Sequence, residues 1–392
     1  MKRFGLLLAL ILAVTPAWAA KKVTVQQLKD MLVSLQNASK SDTDVANELK
    51  QVELTEEMTM KTKIDLLGLF PQPYTQFAEQ IYALEAKSAT LPPPATDLPA
   101  TPPPDAAAQT ALLNKAFDYA SKTYSGQQHL TATKTTLRFQ DNLEALAASS
   151  GMHSGGQDAS LASIRSSTAN QFVRYINSTE TKVELENGAE KPSTEKDKTP
   201  WGQNGYIALQ EPDPSLGQVI SEARGAGNIT FLRWETVNGK AAAVFAYTVD
   251  KKKSHMAVNV CCFPDTEQAG RLNYSQPTQG NMNPAAHGNL QTSTSWHNYK
   301  AQVPYHGEFF VDPDTGIIVR LIVMDDFKKS DVVHQQDERI DYGPVQVGSQ
   351  TAVLPLRTII ASESVPNGDS GAGGYSVRHC YFTAEYKGYA AQ

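Results

Sequence analysis

Apolar positions along the chain change their period twice, and the changes divide it into parts. Thr24 and Gln27 have the spacing of a capping box, and Leu28, Met31, Leu32 and Leu35 then repeat at helical intervals. A second short helix is predicted from Asp42 through Val45, Leu49 and Val52. Thr55 is placed to cap a third, which runs through Met60, Ile64 and Leu67 and stops at Gly68. Tyr74, Phe77, Ile81 and Leu84 mark a fourth stripe. The opposite faces are not notably basic, so the pattern predicts a small helical bundle rather than a membrane-surface helix. Residues 91–104 read LPPPATDLPATPPP, and half of them are proline. Such a stretch holds an extended conformation and cannot continue a helix, so it is expected to be a linker that few contacts cross. Asp105 then caps a helix with Leu113, Phe117, Ala120 and Tyr124 on one stripe.

From His129 the period drops to two. Thr131, Thr133, Thr135, Leu137 and Phe139 alternate with their neighbours as a half-buried strand does. Phe172 to Ile176 and Thr181 to Glu186 read as further strands after a Ser/Gly-rich loop over Gly151 to Asn170. Asp213-Pro214 starts a helix that buries Leu216, Val219 and Ile220 and stops at Gly225. Ile229 to Val237 and Ala241 to Val249 flank Asn238-Gly239, the strongest short-range hairpin signal. A meander follows: Glu308 to Val311, the turn Asp312-Pro313-Asp314-Thr315-Gly316, Ile317 to Met324, Val332 to Tyr342, Ala352 to Ser362 and Val377 to Tyr386, with Gly343-Pro344 and Gly348 as breaks. The fold class predicted is α+β: a helical segment over 20–90, the Pro-rich linker over 91–104, and a helix with an antiparallel sheet and packed helices over 105–392.

The first residues have a different role. Lys2 and Arg3 precede the short apolar run Phe4 to Val14, and Ala17-Trp18-Ala19 is an A-x-A site, so residues 1–19 read as a cleaved signal peptide. The run is too short to span a bilayer, and no later segment is apolar for long enough to do so. A periplasmic or extracellular location is therefore expected, with no transmembrane segment after cleavage. The formal charge of −6 leaves no basic footprint for nucleic acid. Export also allows disulfides. Adjacent Cys261 and Cys262 bridge each other only in a strained ring, so one of them is expected to pair with Cys380; alternation sends them to opposite faces and leaves open which.

Signatures of catalysis are weak. Gly368-Asp369-Ser370-Gly371 matches the nucleophile string of trypsin-like proteases, but only 22 residues follow Ser370, too few for the strands such an enzyme needs. His287, His297 and His306 would reach one metal only if separate loops converged, although His306 and Glu308 share a strand face. A serine or metal-dependent hydrolase is thus the minor reading, and no catalytic residue, metal ligand or cofactor is assigned.

The string GEFFVDPDTGIIVRLIVMDDF, followed by IDYGPVQVG and AVLPLRTIIASES, resembles the C-terminal sheet of the outer-membrane lipoprotein carrier (LolA/LolB-like) superfamily and its periplasmic sensor relatives. More narrowly, AVFAYTVDKKKSH and YHGEFFVDPDTG are similar to a set of secreted acidobacterial proteins of unassigned function that share the helical N-terminal part. The resemblance brings no catalytic residues. It implies a curved, incomplete β-barrel with helices packed into its mouth, a shape that holds acyl chains or peptide segments. Two functions follow: a carrier that binds a lipid or other hydrophobic guest, or a structural or sensory module whose partner is a lipoprotein or another envelope protein. For the first, Phe231, Trp234, Phe245, Phe310, Val319, Leu321 and Leu356 are the expected cavity lining. Intact-mass measurement of the exported protein is expected to place its first residue at Ala20, and retention of residues 1–19 would contradict the export reading.

Overall fold

In the computed structural model, residues 20–70, 75–124, 129–141, 173–186, 189–191, 208–210, 215–264, 296–328, 331, 333–364 and 378–391 are described. The helices and strands of the N-terminal part come first. β1 (Lys21–Val23) pairs in parallel with β2 (Val52–Leu54), and α1 (Val25–Asn37), α2 (Asp42–Leu49), α3 (Met60–Leu67) and α4 (Thr75–Ser88) pack around Leu28, Leu32, Val45, Leu66, Phe77 and Ile81. Thr24 and Gln27 form the capping box that the sequence predicts. Two local readings change. The hydroxyl of Thr59, not Thr55, accepts from the third helix at the Thr62 amide, so α3 begins one turn later and Ile64 is 60% exposed while Leu66 takes the buried place. Gly68 ends α3 in ordinary right-handed geometry. Val52, placed in the second helix, belongs to β2.

After the Pro-rich stretch, Asp105 Oδ1 accepts from the Ala108 amide at 2.8 Å and caps α5 (Ala106–Tyr124). The strands are then β3 (Leu130–Asp141), β4 (Val173–Glu186), β5 (Ala189–Glu190), β6 (Ala208–Gln210), β7 (Ile229–Val237), β8 (Lys240–Val249), β9 (Ala257–Pro264), β10 (Trp296–Gln302), β11 (Tyr305–Val311), β12 (Ile318–Asp325), β13 (Val333–Val347), β14 (Gln350–Ser364) and β15 (Arg378–Ala391), with α6 (Leu216–Ala226) before β7. Ten of them make one antiparallel sheet in the order β5-β4-β3-β15-β14-β13-β12-β11-β8-β7, and it does not close on itself. β10, β9 and β6 form a separate three-stranded sheet. No helix among the described residues is long and apolar enough to cross a membrane. The residues Gly151 to Asn170, His287 and the Gly368–Gly371 string lie outside those described.

Several strand ends follow from turn chemistry. Asn238 and Gly239 both take positive φ, 51° and 79°, and close the β7–β8 hairpin in two residues. Gly316 at φ 77° ends the turn between β11 and β12, where a Cβ would meet the Lys115 backbone of α5 at 2.8 Å. Lys115 Nζ in turn donates to the Pro313 carbonyl at 3.0 Å, so this turn seats the helix. The α6 helix is capped by Ser215 and stops at Gly227 in left-handed geometry; Gly225, two residues earlier, lies within the helix. Gly343-Pro344, expected as a break, lies inside β13. The β12–β13 ladder reaches only Asp341, so Pro344 needs no amide on that edge, and the real hairpin turn falls at Gly348-Ser349.

The sheet has two unlike faces. On one, Phe245, Tyr247, Tyr305, Phe309, Leu321 and Ile340 pack under Leu112, Ala116 and Ala120 of α5 and Leu216, Val219, Ile220 and Ala223 of α6. On the other lie Val244, Phe310 and Ile322, and further along the sheet Phe139, Ile359, Ala361 and Tyr381 meet Ala83, Ala86 and Ala89 from the N-terminal part. Few contacts were expected to cross the Pro-rich stretch, but α4 is laid directly on this second face, because the alanines give it a flat side. Gly307 of β11 makes a close approach possible on the first face. It stands opposite Tyr247, whose hydroxyl passes over it to donate to the Ile322 carbonyl of β12 at 2.8 Å. A Cβ on Gly307 would overlap that carbonyl and lie 2.8 Å from the hydroxyl. Gly307→Ala is therefore expected to cost about 3 kcal/mol in urea unfolding, in the upper range of overpacking effects.

Candidate functional site

Charged side chains cluster where the N-terminal helices meet the sheet. A row of directly opposed residues crosses four strands, Arg320 on β12, Asp341 on β13, Arg357 on β14 and Glu385 on β15, with alternating sign. Arg339 lies two residues from Asp341 on the same face, and β7 and β11 add Arg233, Glu235 and Glu308. The N-terminal part supplies Glu57, Lys63 and Glu85, all buried. Glu57 accepts from Arg320 at 3.3 Å and from Arg339. Glu85 takes both terminal nitrogens of Arg357, one at 2.6 Å, and pairs with Lys63 at 3.1 Å. Asp341 accepts from Arg320 Nε at 2.7 Å and Arg339 Nη2 at 3.1 Å. Arg233 forks between Glu235 and Glu308, each at 2.7 Å.

Burial works against the charge of Asp341, Arg339, Glu235 and Lys63, and their oppositely charged partners work for it. Burial works against the Asp341 carboxylate, but Arg320 and Arg339 outweigh it and keep its pKa well below the usual range. Burial likewise opposes the Arg339 charge, and Asp341 and Glu57 restore it. Burial pushes Glu235 up, against the pull of Arg233 and Arg320. Lys63 moves down, since burial exceeds the attraction of Glu85. Burying such charges costs several kcal/mol per ion, offset only where the geometry is good, and the bidentate Glu85–Arg357 fork is such a case.

A second arrangement ties the Pro-rich stretch down. Trp234 Nε1 donates to the Pro102 carbonyl at 3.0 Å, and the Glu57 amide donates to the Pro92 carbonyl at 2.8 Å. The stretch thus runs from the charged layer to the edge strand β7.

The residues predicted to line one cavity are separated. Phe245 and Leu321 are buried under α5 and α6, with Phe231 and Trp234 half-buried beside them. Rings in this layer are in contact across β7, β8 and β11: Phe231 with Phe245 at 5.7 Å, Phe245 with Phe309 at 5.5 Å, and Tyr247 with Phe309 at 6.0 Å. Phe310 is buried on the opposite face, because it follows Phe309 in a strand. Val319 packs with it: the β11–β12 ladder skips Val319 at a bulge, which breaks the alternation that would pair it with Leu321. Leu356, 38% exposed, covers Gly343.

Other candidates are accounted for locally. His306 pairs with Asp326 at 2.9 Å while Glu308 binds Arg233, so the two do not face a common point. His297 lies in β10, and its side chain, like those of Cys261 and Cys262 in β9, is outside the described residues; Cys380 is buried in β15. The expected disulfide therefore falls on side chains outside the described set. Among the described residues no group of three or more His, Cys, Asp or Glu is arranged to hold a metal ion. The charged layer itself was missed from sequence, where isolated Arg and Glu in strands read as solvent-facing positions. Comparison with models of known protein families, with curated proteins and with solved structures returned no match.

Removing one partner of a buried pair leaves the other charge uncompensated, so Glu85→Leu and Arg357→Leu are each expected to lose about 3 to 5 kcal/mol in denaturant unfolding. The double substitution is expected to lose much less than the sum, since both charges go together. Additive losses would mean that the fork contributes nothing as a pair.

Proposed function

We propose that the chain is an exported, non-enzymatic protein of the cell envelope that works as a structural or sensory interaction module, its sheet a half-barrel of the LolA-like kind filled from within. The observation that carries this reading is the closed aromatic face. Phe245, Tyr247, Tyr305 and Phe309, the side chains a hydrophobic guest would use, are already buried against Leu112, Ala116, Val219 and Ile220 of the protein's own helices. A guest would have to displace α5 or α6 and repeat the apolar burial they provide, at about 25 cal/mol per Å². The opposite face is taken by the N-terminal helices and their carboxylates. Function then belongs to the outer surface, and the partner is another envelope component rather than an enclosed lipid. The export half of the proposal rests on Lys2, Arg3 and the Ala17-Trp18-Ala19 site.

Native mass spectrometry of protein purified from its own envelope, paired with titration of a fluorescent fatty acid, tests the reading. Protein of the bare chain mass and no saturable probe binding are expected. Crosslinking in the intact envelope is expected to give one discrete species containing a second protein. A co-purifying lipid together with saturable probe binding would restore the carrier reading.

A further inference from the structure

At the end of β12 a buried carboxyl group meets a buried amide, with one oxygen of each left over. Asp325 is buried, stands opposite Tyr305 of β11, and lies just past Met324–Asp337, where the β12–β13 ladder ends. Gln336 of β13, almost fully buried, donates through Nε2 to Asp325 Oδ2 at 3.3 Å. The second oxygen of each group, Asp325 Oδ1 and Gln336 Oε1, is buried and without a hydrogen-bond partner. With Asp325 ionised, both are acceptors, and two buried acceptors are left unsatisfied in one contact pair. Each such orphan carries a desolvation penalty that native interiors avoid. A proton on Asp325 would turn one of these acceptors into a donor, and a carboxyl O–H directed at the amide oxygen would answer the amide N–H that already donates to Asp325.

The surroundings favour that proton. Asp326 follows in the chain and Asp337 sits across the ladder, and both are acidic. Tyr247 of β8, Tyr299 of β10 and Tyr305 of β11 all feel the Asp325 charge, and all three hydroxyls have raised pKa values, burial being the largest cause, so they stay neutral. Glu338 comes two residues after Gln336 and adds further negative charge near Tyr247. His306 pairs with Asp326 and acts on Asp337, whose Oδ2 accepts from Thr90 at 3.4 Å and from Gln335.

We propose that Asp325 is a neutral carboxylic acid in the folded protein, paired with Gln336 as carboxyl to amide, and that loss of its proton is a pH switch that loosens the open end of the β12–β13 ladder. Burial, then Asp337 and Asp326, push its pKa up to about 8. The sign is that of a raised carboxyl. Its contribution to stability is fully present below the unfolded-state value and is lost as pH rises through about 8. Burial raises Asp337 in the same direction. Ionisation there would act next to Thr90, the link to the N-terminal helices.

Two measurements on the full chain test this. Infrared spectra of the wild type at about pH 6 are expected to show a buried protonated-carboxyl band that Asp325→Asn removes, and thermal unfolding between about pH 5 and about pH 9 is expected to show a Tm falling by several degrees. Asn reproduces the donor of the neutral acid, so the Asp325→Asn variant is expected to fold, to show a flatter pH profile, and to be at least as stable as wild type at the alkaline end. A wild type without the band, a band of undiminished intensity in the variant, a Tm unchanged across the range, or a variant that fails to fold or is less stable at the alkaline end would each overturn the assignment.

Discussion

The fold depends on carboxylates carried by one part of the chain entering a row of arginines on another. Arg320, Arg339 and Arg357 sit on a sheet face with little access to water, and the sheet's own carboxylates paired with them, Asp341 and Glu235, are one fewer than the arginines. Glu57, in the loop between β2 and α3, and Glu85 of α4 complete the charge balance from the N-terminal part, and Lys63 offsets part of the second carboxylate. Without that part the arginines would have to be rehydrated, and without the arginines Glu57 and Glu85 would be buried alone. Each part is therefore the solvent of the other, which is why α4 presents alanines and a glutamate to the sheet instead of a large apolar face. Ion pairs of this kind add little net stability over an apolar contact, but their geometry admits one register only.

The opposite face works by a different rule. Aromatic rings spanning β7, β8 and β11 meet helices α5 and α6, and Gly307 lets Tyr247 cross a strand to reach a carbonyl. The turn at Asp312–Gly316 holds α5 in place through Lys115, so the cover of the aromatic layer is fixed by the same hairpin that begins the meander. With one face of the described sheet covered by apolar packing and the other by charge, a guest on either of these faces would displace native contacts, which supports the proposal of a protein that acts through its exterior.

Local chemistry was legible and long-range chemistry was not. The Thr24–Gln27 capping box, the Asp105 cap, the Asn238-Gly239 hairpin and the Asp312–Gly316 turn are determined within a few residues, and all appear where the sequence places them. Competing local signals were harder: Thr55 against Thr59, Gly225 against Gly227, and Gly343-Pro344 against Gly348-Ser349 were decided by where ladders and helix faces run out. Side-chain direction failed at Val319, because a bulge is invisible to alternation. The charged layer joins residues 263, 272 and 282 positions apart, and no spacing rule connects Glu57 with Arg320 and Arg339 or Glu85 with Arg357.

Hydrogen exchange measured by mass spectrometry tests most directly whether the N-terminal helices and the sheet are one cooperative structure joined by buried charge. The account predicts that amides of α4 and of β13 and β14 exchange together, through openings of similar free energy, and that Glu85→Leu lowers the protection of all three alike. Fast exchange of α4 beside a sheet that stays fully protected, with the substitution affecting α4 alone, would contradict it.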